Sequence, residues 1–324
     1  MDKLRTITCP IQNEIELFQV SFRQALHGHN SRFQGLLDYV AGSNGKQIRP
    51  IILLLSAQLC GKINQKTIDY AVILELLHTA TLIHDDVVDG AMERRGQSSV
   101  NAMFDNRIAV LLGDYILSLA IINGINTQNQ QVLGIMGKLA QNLSEGELSQ
   151  LIFSRKLSVD EKSYFDVIHK KTAALISSCT ELGAISVNAS PEDVDFLRQI
   201  GENMGLCFQI KDDIFDYFDK GNIGKPTGND IREGKITLPL LHALNSAPED
   251  ISKSMLSLIK KQDFNPEVVS RLIDFAKEYG GIEYAESCML SLKRKIIAIL
   301  DKFPESETKT ALICLIDYII EREK

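Results

Sequence analysis

Residues 68–90 read IDYAVILELLHTATLIHDDVVDG. Ile73, Leu74, Leu77 and Thr81 recur at three- and four-residue spacing, which predicts a helix with one apolar face. The helix closes on Asp85, Asp86 and Asp89. Asp85 and Asp89 are four apart and share a face. Asp86 lies about 100° round the axis. Three carboxylates in one turn repel each other, and near a helix C-terminus they also meet the negative end of its dipole. Bound cations relieve both penalties. Hard oxygen donors with room for water suit Mg²⁺.

Residues 200–216, IGENMGLCFQIKDDIFD, repeat the arrangement. Asp212, Asp213 and Asp216 keep the same spacing and again follow an apolar helix, with Asp212 and Asp216 on one face. A lone DDxxD reads equally well as a solvated helix end. Two copies, each closing an apolar helix, point to divalent ions gripping a diphosphate as a leaving group.

The rest of the chain is helical in pattern. Leu36, Leu37 and Val40 recur with a helical period, as do Leu182, Ile185 and Ser186. Breaks fall at 42–45, 61–65, 90–99, 123–131, 188–193, 220–234, 246–250, 280–281 and 303–308. Ten or more helices in one all-α domain, residues 1–324, are expected. Strand-like alternation is scarce, and there is no long Pro/Gly/Ser linker.

The net charge of −7 argues against a nucleic-acid surface. The six cysteines form no CxxC pair, which removes support for zinc and redox motifs. The opening MDKLRTITCPIQNEIE is polar and unlike a signal peptide, so a cytoplasmic location is expected. Residues 51–59 are too short to span a membrane. Residues 108–125 are nearly long enough, but Asp114 sits inside them, and they read as a buried helix rather than a span. The last four residues, Glu321–Lys324, suit either a frayed end or a lid.

Basic groups accompany the acidic clusters. Arg94 and Arg95 precede Gly96 and offer guanidinium forks suited to phosphate. Lys46 and Arg49 stand in GKQIRP, where Pro50 fits the first turn of a helix, a natural anion site. His78 lies two turns before Asp85 on much the same face. Lys170-Lys171-Thr172 precedes an apolar helix, and Gln209 lies three residues before Asp212. Lys225 and Lys235 stand in the loop-like GKPTGND and EGKITLPL, as in a lid that closes over phosphate.

Together GKQIRP, LLHTATLIHDDVVDGAMERRG, LLGDY, EGE (145–147), KKTAAL, FQIKDDIFDY, GKPTGND and EGKITLPL resemble the trans-isoprenyl diphosphate synthases, most closely the long-chain octaprenyl, heptaprenyl and solanesyl enzymes. The likeness runs from about Gly45 to Pro239. It implies an isoprenoid synthase fold, a helix bundle around a deep central cavity, usually homodimeric. It implies that Lys46, Arg49, His78 and Arg95 hold isopentenyl diphosphate. Arg94, Lys171, Thr172, Gln209 and Lys235 would serve the allylic diphosphate, with Lys225 a further candidate. Lys171, Thr172, Gln209 and Lys235 would be the catalytic set. The six aspartates would gather Mg²⁺, about three ions when substrate is bound. Ser98, Asp105 and Lys211 depart from the family pattern; none of them is a proposed ligand.

Leu77, Ala80 and Thr81 lie eight, five and four residues before Asp85, on the wall a growing tail would pass. Ala80 and Thr81 are small. In this family that pattern accompanies long products, about seven to ten isoprene units, such as respiratory quinone side chains; the product would be membrane-bound. The alternatives are that Ala80 merely packs a helix crossing and the floor lies deeper, near Met103, Phe104 or Ile116; a short- or medium-chain synthase with a farnesyl- or geranylgeranyl-sized product; a terpene cyclase, which the second DDxxD and the absence of tryptophan oppose; and a non-catalytic subunit, which two intact acidic motifs oppose.

Overall fold

The structure is a computed structural model that describes residues 3–27, 33–42, 45, 47–94, 96–156, 160–218 and 227–322. Lys46, Arg95 and Lys225 lie outside the described residues, as do the last two residues of the chain. In order, the helices are α1 (Lys3–Thr8), α2 (Gln12–Leu26), α3 (Gln34–Gly42), α4 (Ile48–Cys60), α5 (Gln65–Val88), α6 (Val100–Met103), α7 (Asn106–Asn126), α8 (Gln130–Lys156), α9 (Glu161–Ile168), α10 (Ala174–Ser186), α11 (Pro191–Phe215), α12 (Asn229–Arg232), α13 (Leu238–Ser246), α14 (Glu249–Lys261), α15 (Pro266–Glu278), α16 (Gly281–Leu300) and α17 (Glu307–Glu321). A 3₁₀ turn joins α1 to α2, and a π-helical turn, His169–Ala173, joins α9 to α10. The one sheet among the described residues is a hairpin of β1 (Glu93–Arg94) and β2 (Gln97–Ser98). The all-α expectation holds.

The breaks read from sequence meet helix ends, although 123–131 takes in the last residues of α7 and the first of α8, and two others are refined. The 220–234 loop contains the short helix α12, and the hairpin occupies 90–99. The breaks after α2, α6, α8 and α14 were not anticipated, although Asn265 caps α15 and Pro266 opens it.

The chain divides into two compact units. The first comprises residues 1–141, 175–201 and 303–314. Helix α5 is its centre, packed by α7, α2 and α4. Its start is fixed by a capping box, with the Asn64 side chain accepting from Lys66 N and Thr67 Oγ1 accepting from Asn64 N. Ile73, Leu74, Leu76, Leu77 and Ala80 are all buried, as the periodicity required. Gly113 of α7 faces the His84 ring of α5, where any Cβ would overlap the imidazole. The missing side chain is what lets these helices approach.

Helix α7 corrects the sequence reading of 108–125 as a buried helix. Only 39% of its most apolar window is buried, although its length and hydropathy satisfy those of a membrane span. Val110, Leu111, Ile121, Ile122 and Ile125 are exposed. Asp114 sits on the same side, 3.4 Å from His84 Nε2. Periodicity cannot separate a helix buried all round from one that leaves an apolar side outward, because both are apolar throughout.

The second unit comprises 142–174, 202–302 and 315–324. Here α13 is central, flanked by α14, α15, α16 and α9. Gly281 opens α16 against the Pro239 carbonyl, too close for a side chain.

Candidate active site

In the first unit, α5 carries the first acidic cluster in its last turn. Asp89 N donates to Asp85 O at 2.8 Å, so these residues stack on one face as their spacing required. Both are at least partly exposed, whereas Asp86 is buried. Asp86 Oδ1 accepts from Arg94 Nε at 2.7 Å and Nη2 at 2.6 Å. Arg94 reaches it because the hairpin turns at Gly96, φ +78°, a conformation suited to glycine. The loop is tied to the helix end by Asn101 Nδ2 donating to Ala91 O at 3.0 Å and Ser99 Oγ donating to the same oxygen at 2.6 Å. Glu75, Thr79, Leu82 and Asp86, all on one stripe of α5, line a cavity of this unit together with Arg94, Gln47 and Tyr39.

Arg49 lies in the first turn of α4 with Pro50, as expected. Its positive charge acts on the buried Cys179 thiol, which burial pushes up to about 12. His78 is buried on α5. Leu77 and Ala80 are buried too, and Thr81 Oγ1 donates to the His78 carbonyl at 2.9 Å. None of these three wall candidates lines the cavity just described.

The second unit holds a cavity of about 180 Å³, partly open to solvent, that gathers four residues singled out from sequence: Lys171, Gln209, Asp213 and Lys235. The π-helical turn explains how Lys171 and Thr172 are presented. One extra residue in the turn swings successive side chains off the regular helix face. Glu145-Gly146-Glu147 of α8 grips this turn. Glu147 pairs with Lys171, and Glu145 lies 3.5 Å from Lys170. A Cβ on Gly146 would come within 2.8 Å of Lys171 Cγ and 3.0 Å of its backbone nitrogen. Lys235 Nζ lies 2.5 Å from Glu233, and its backbone N–H donates to the Asp230 carbonyl at 2.8 Å.

Behind the lysines runs a chain of directional bonds. Thr172 Oγ1 donates to Gln209 Oε1 at 2.7 Å, and Gln209 Nε2 donates to Asp213 Oδ1 at 2.9 Å. Tyr164 OH donates to Asp213 Oδ2 at 2.6 Å. Asp213 is 4% exposed; burial, then the Asp230 charge, push its carboxyl well above the ordinary range. Asp230 lines the same cavity and is pushed up to about 6 by burial and then by Asp216. Asp216 accepts the Asn229 and Asp230 N–H groups at 2.9 and 3.0 Å, capping α12. Asp212 Oδ1 accepts from Arg322 Nη2 at 2.6 Å.

The donor chemistry fits Mg²⁺. Among the described residues no three carboxylate, histidine or cysteine groups converge as a ready cage. Mg²⁺ needs no such cage: it takes one or two carboxylates and completes its octahedron with water and substrate phosphate. Asp85 and Asp89 in the first unit and Asp212 in the second keep at least partly exposed hard oxygens of the kind this needs, whereas Asp86 and Asp213 are buried against donors of the chain itself.

Tyr164, Glu147, Asp230, Glu233 and Arg322 were not assigned from sequence. Glu147, Asp230 and Glu233 lie inside the family-like segments EGE, GKPTGND and EGKITLPL, which carried their only signal. Nothing in the pattern marks Tyr164, a lone tyrosine on an amphipathic helix.

A family model described as polyprenyl synthetase matches residues 30–276. A short chain isoprenyl diphosphate synthase of Methanothermobacter thermautotrophicus is 35% identical over 291 residues, 88% of this chain and 89% of its own. The octaprenyl diphosphate synthase of Escherichia coli is 32% identical over 287 residues, 88% of each chain. Among solved structures, a geranylgeranyl pyrophosphate synthase from Bacteroides thetaiotaomicron has 41% identity and a TM-score of 0.86, covering 99% of this chain and 100% of its own. A decaprenyl diphosphate synthase from Rhodobacter capsulatus has 30% identity and a TM-score of 0.92, covering 99% of each. A polyprenyl synthase from Caulobacter crescentus, complexed with calcium and isoprenyl diphosphate, has 28% identity and a TM-score of 0.90, covering 99% of this chain and 98% of its own.

Proposed function

Because the chain belongs to the polyprenyl synthetase family and is a trans-prenyl diphosphate synthase by that membership, we propose that it makes a long-chain all-trans-polyprenyl diphosphate. It would condense isopentenyl diphosphate repeatedly onto an allylic diphosphate, in the cytoplasm, for a quinone side chain. The observation that carries chain length is the small pair Ala80-Thr81, with no aromatic in the last two turns of α5 before Asp85.

In this reading, allylic C–O bond cleavage leaves the bonding pair on diphosphate and a cation on carbon. Mg²⁺, when bound, supplies charge that neutralises the departing diphosphate. Asp85, Asp89 and Asp212 would hold it, joined by Asp216 beyond its α12 cap, with Asp86 and Asp213 keeping the geometry behind them. Lys171 and Lys235 exchange their glutamate partners for diphosphate oxygens, and Arg94 and Lys225 complete the clamp. The oxygen dipoles of Thr172 and Gln209 face the cation without attacking it. Lys46, Arg49, His78 and Arg95 hold isopentenyl diphosphate so that its double bond forms the new C–C bond. A proton then leaves for the released diphosphate.

The outward apolar side of α7, with Leu111 67% exposed, supports a homodimer joined there. A single Asp114 in its midst argues against lipid contact.

A shorter product is the second reading, favoured by the 41% identity to the geranylgeranyl enzyme and the 35% identity to the short-chain one. Sizing the products made from radiolabelled isopentenyl diphosphate and farnesyl diphosphate decides between them. Chains of about seven or more isoprene units support the first reading, and arrest at four units overturns it. Ala80→Phe is expected to shorten the product by at least about two units, at a stability cost of roughly 1–3 kcal/mol from overpacking.

A further inference from the structure

Tyr164 sits in the first turn of α9, 8% exposed, on the wall of the second unit's cavity. Its hydroxyl meets one oxygen of Asp213, and the Gln209 amide meets the other. A carboxylate held by one bond rotates freely about χ2, whose energy is broad and two-fold. Two donors on opposite oxygens fix its plane.

That plane sets a direction. Gln209 turns its NH₂ toward Asp213 and its carbonyl toward Thr172. Thr172 then donates its single proton to Gln209. With that proton committed, the threonine oxygen has only lone pairs left to offer. A flipped glutamine would donate to Thr172 and release its O–H instead.

We propose that Tyr164 is a positioning residue for prenyl transfer, acting through Asp213 and Gln209 to hold the Thr172 and Gln209 oxygens toward the allylic carbon. The proposal rests on the prenyl-transfer reading of this cavity. A tyrosine that merely bolts α9 to α11 would affect stability but would not act through Thr172.

The test is a double-mutant cycle of Tyr164→Phe with Thr172→Val, measured by single-turnover condensation on the full-length enzyme. Tyr164→Phe keeps the ring and is expected to lower the chemical rate about 10–100-fold, as loss of a partner behind a functional group does. KM for both substrates stays within about threefold. Calorimetric binding of Mg²⁺ with inorganic diphosphate also stays within about threefold. In the Thr172→Val background the same change costs no more than about threefold. A Tyr164→Phe rate within twofold of wild type overturns the proposal, as does a full penalty in both backgrounds. Wild type that condenses no isopentenyl diphosphate overturns the functional reading as well, so the two failures are distinct.

Discussion

Arg322 lies with its guanidinium 4.0 Å above the Phe208 ring and donates Nη2 to Asp212 Oδ1 at 2.6 Å. The same nitrogen reaches the Phe208 carbonyl at 3.1 Å, and Phe215 lies 5.5 Å from the charge. Arg322 is 10% exposed and Asp212 41%. The end of the chain thus supplies a cation to the first carboxylate of the second acidic cluster. Arg322→Ala is expected to cost about 1–2 kcal/mol by urea denaturation, through the charged hydrogen bond and the stack. Arg322→Lys should recover only part of this, because an ammonium lacks the planar fork. Equal stability of all three proteins would contradict the assignment.

Gly146→Ala brings a methyl against Lys171 and its backbone. The π-helical turn must shift, carrying Lys171 and Thr172 with it. Condensation activity should fall at least about tenfold, while thermal stability falls by roughly 1–3 kcal/mol. An active, unperturbed Gly146→Ala enzyme would show that the close approach of α8 does not set the lysine.

Asp230 makes stability depend on pH in a defined direction. Its folded carboxyl titrates at about 6, above the ordinary 3.8, because of burial and then Asp216. Below about pH 4 both states are protonated and nothing is lost. Between 4 and 6 the folded state keeps a proton that the unfolded state releases, so stability falls as pH rises and stays low above 6. Asp230→Asn removes this slope. Melting curves in EDTA should show the variant gaining on wild type from pH 4 to 6, by an amount on the order of 2 kcal/mol. A constant gap across that range would refute it.

Divalent metal and diphosphate should stabilise the protein together. Mg²⁺ with inorganic diphosphate at about 100 times the dissociation constant adds about 2.7 kcal/mol. Asp85→Ala and Asp212→Ala should abolish most of the gain and lower condensation by at least about a hundredfold. Asp89→Ala should follow them. The measurement is the melting temperature with and without each component.

Much of the site was written in local spacing. Four-residue steps put Asp85 with Asp89 on one face whatever the fold around them, because the helix repeat is a property of the backbone. The order of Lys171, Thr172, Gln209 and Lys235 along the chain marked them for the same reason that any motif can be read: their neighbours carry the signal. Tyr164 had no such neighbours, and Arg322 stood only in a charged stretch open to two readings.

The sequence by itself determined the helices, the acidic turns and the basic segments beside them, since period, capping and breaker residues act within a few positions. Tertiary structure alone decided that Asp86 is buried against Arg94, that Asp213 is shared between Tyr164 and Gln209, and that Asp212 meets Arg322 from 110 residues away. It also decided that half of α7 faces outward. Burial and pairing at such separations depend on which helices pack together, and one-dimensional periodicity does not contain that information.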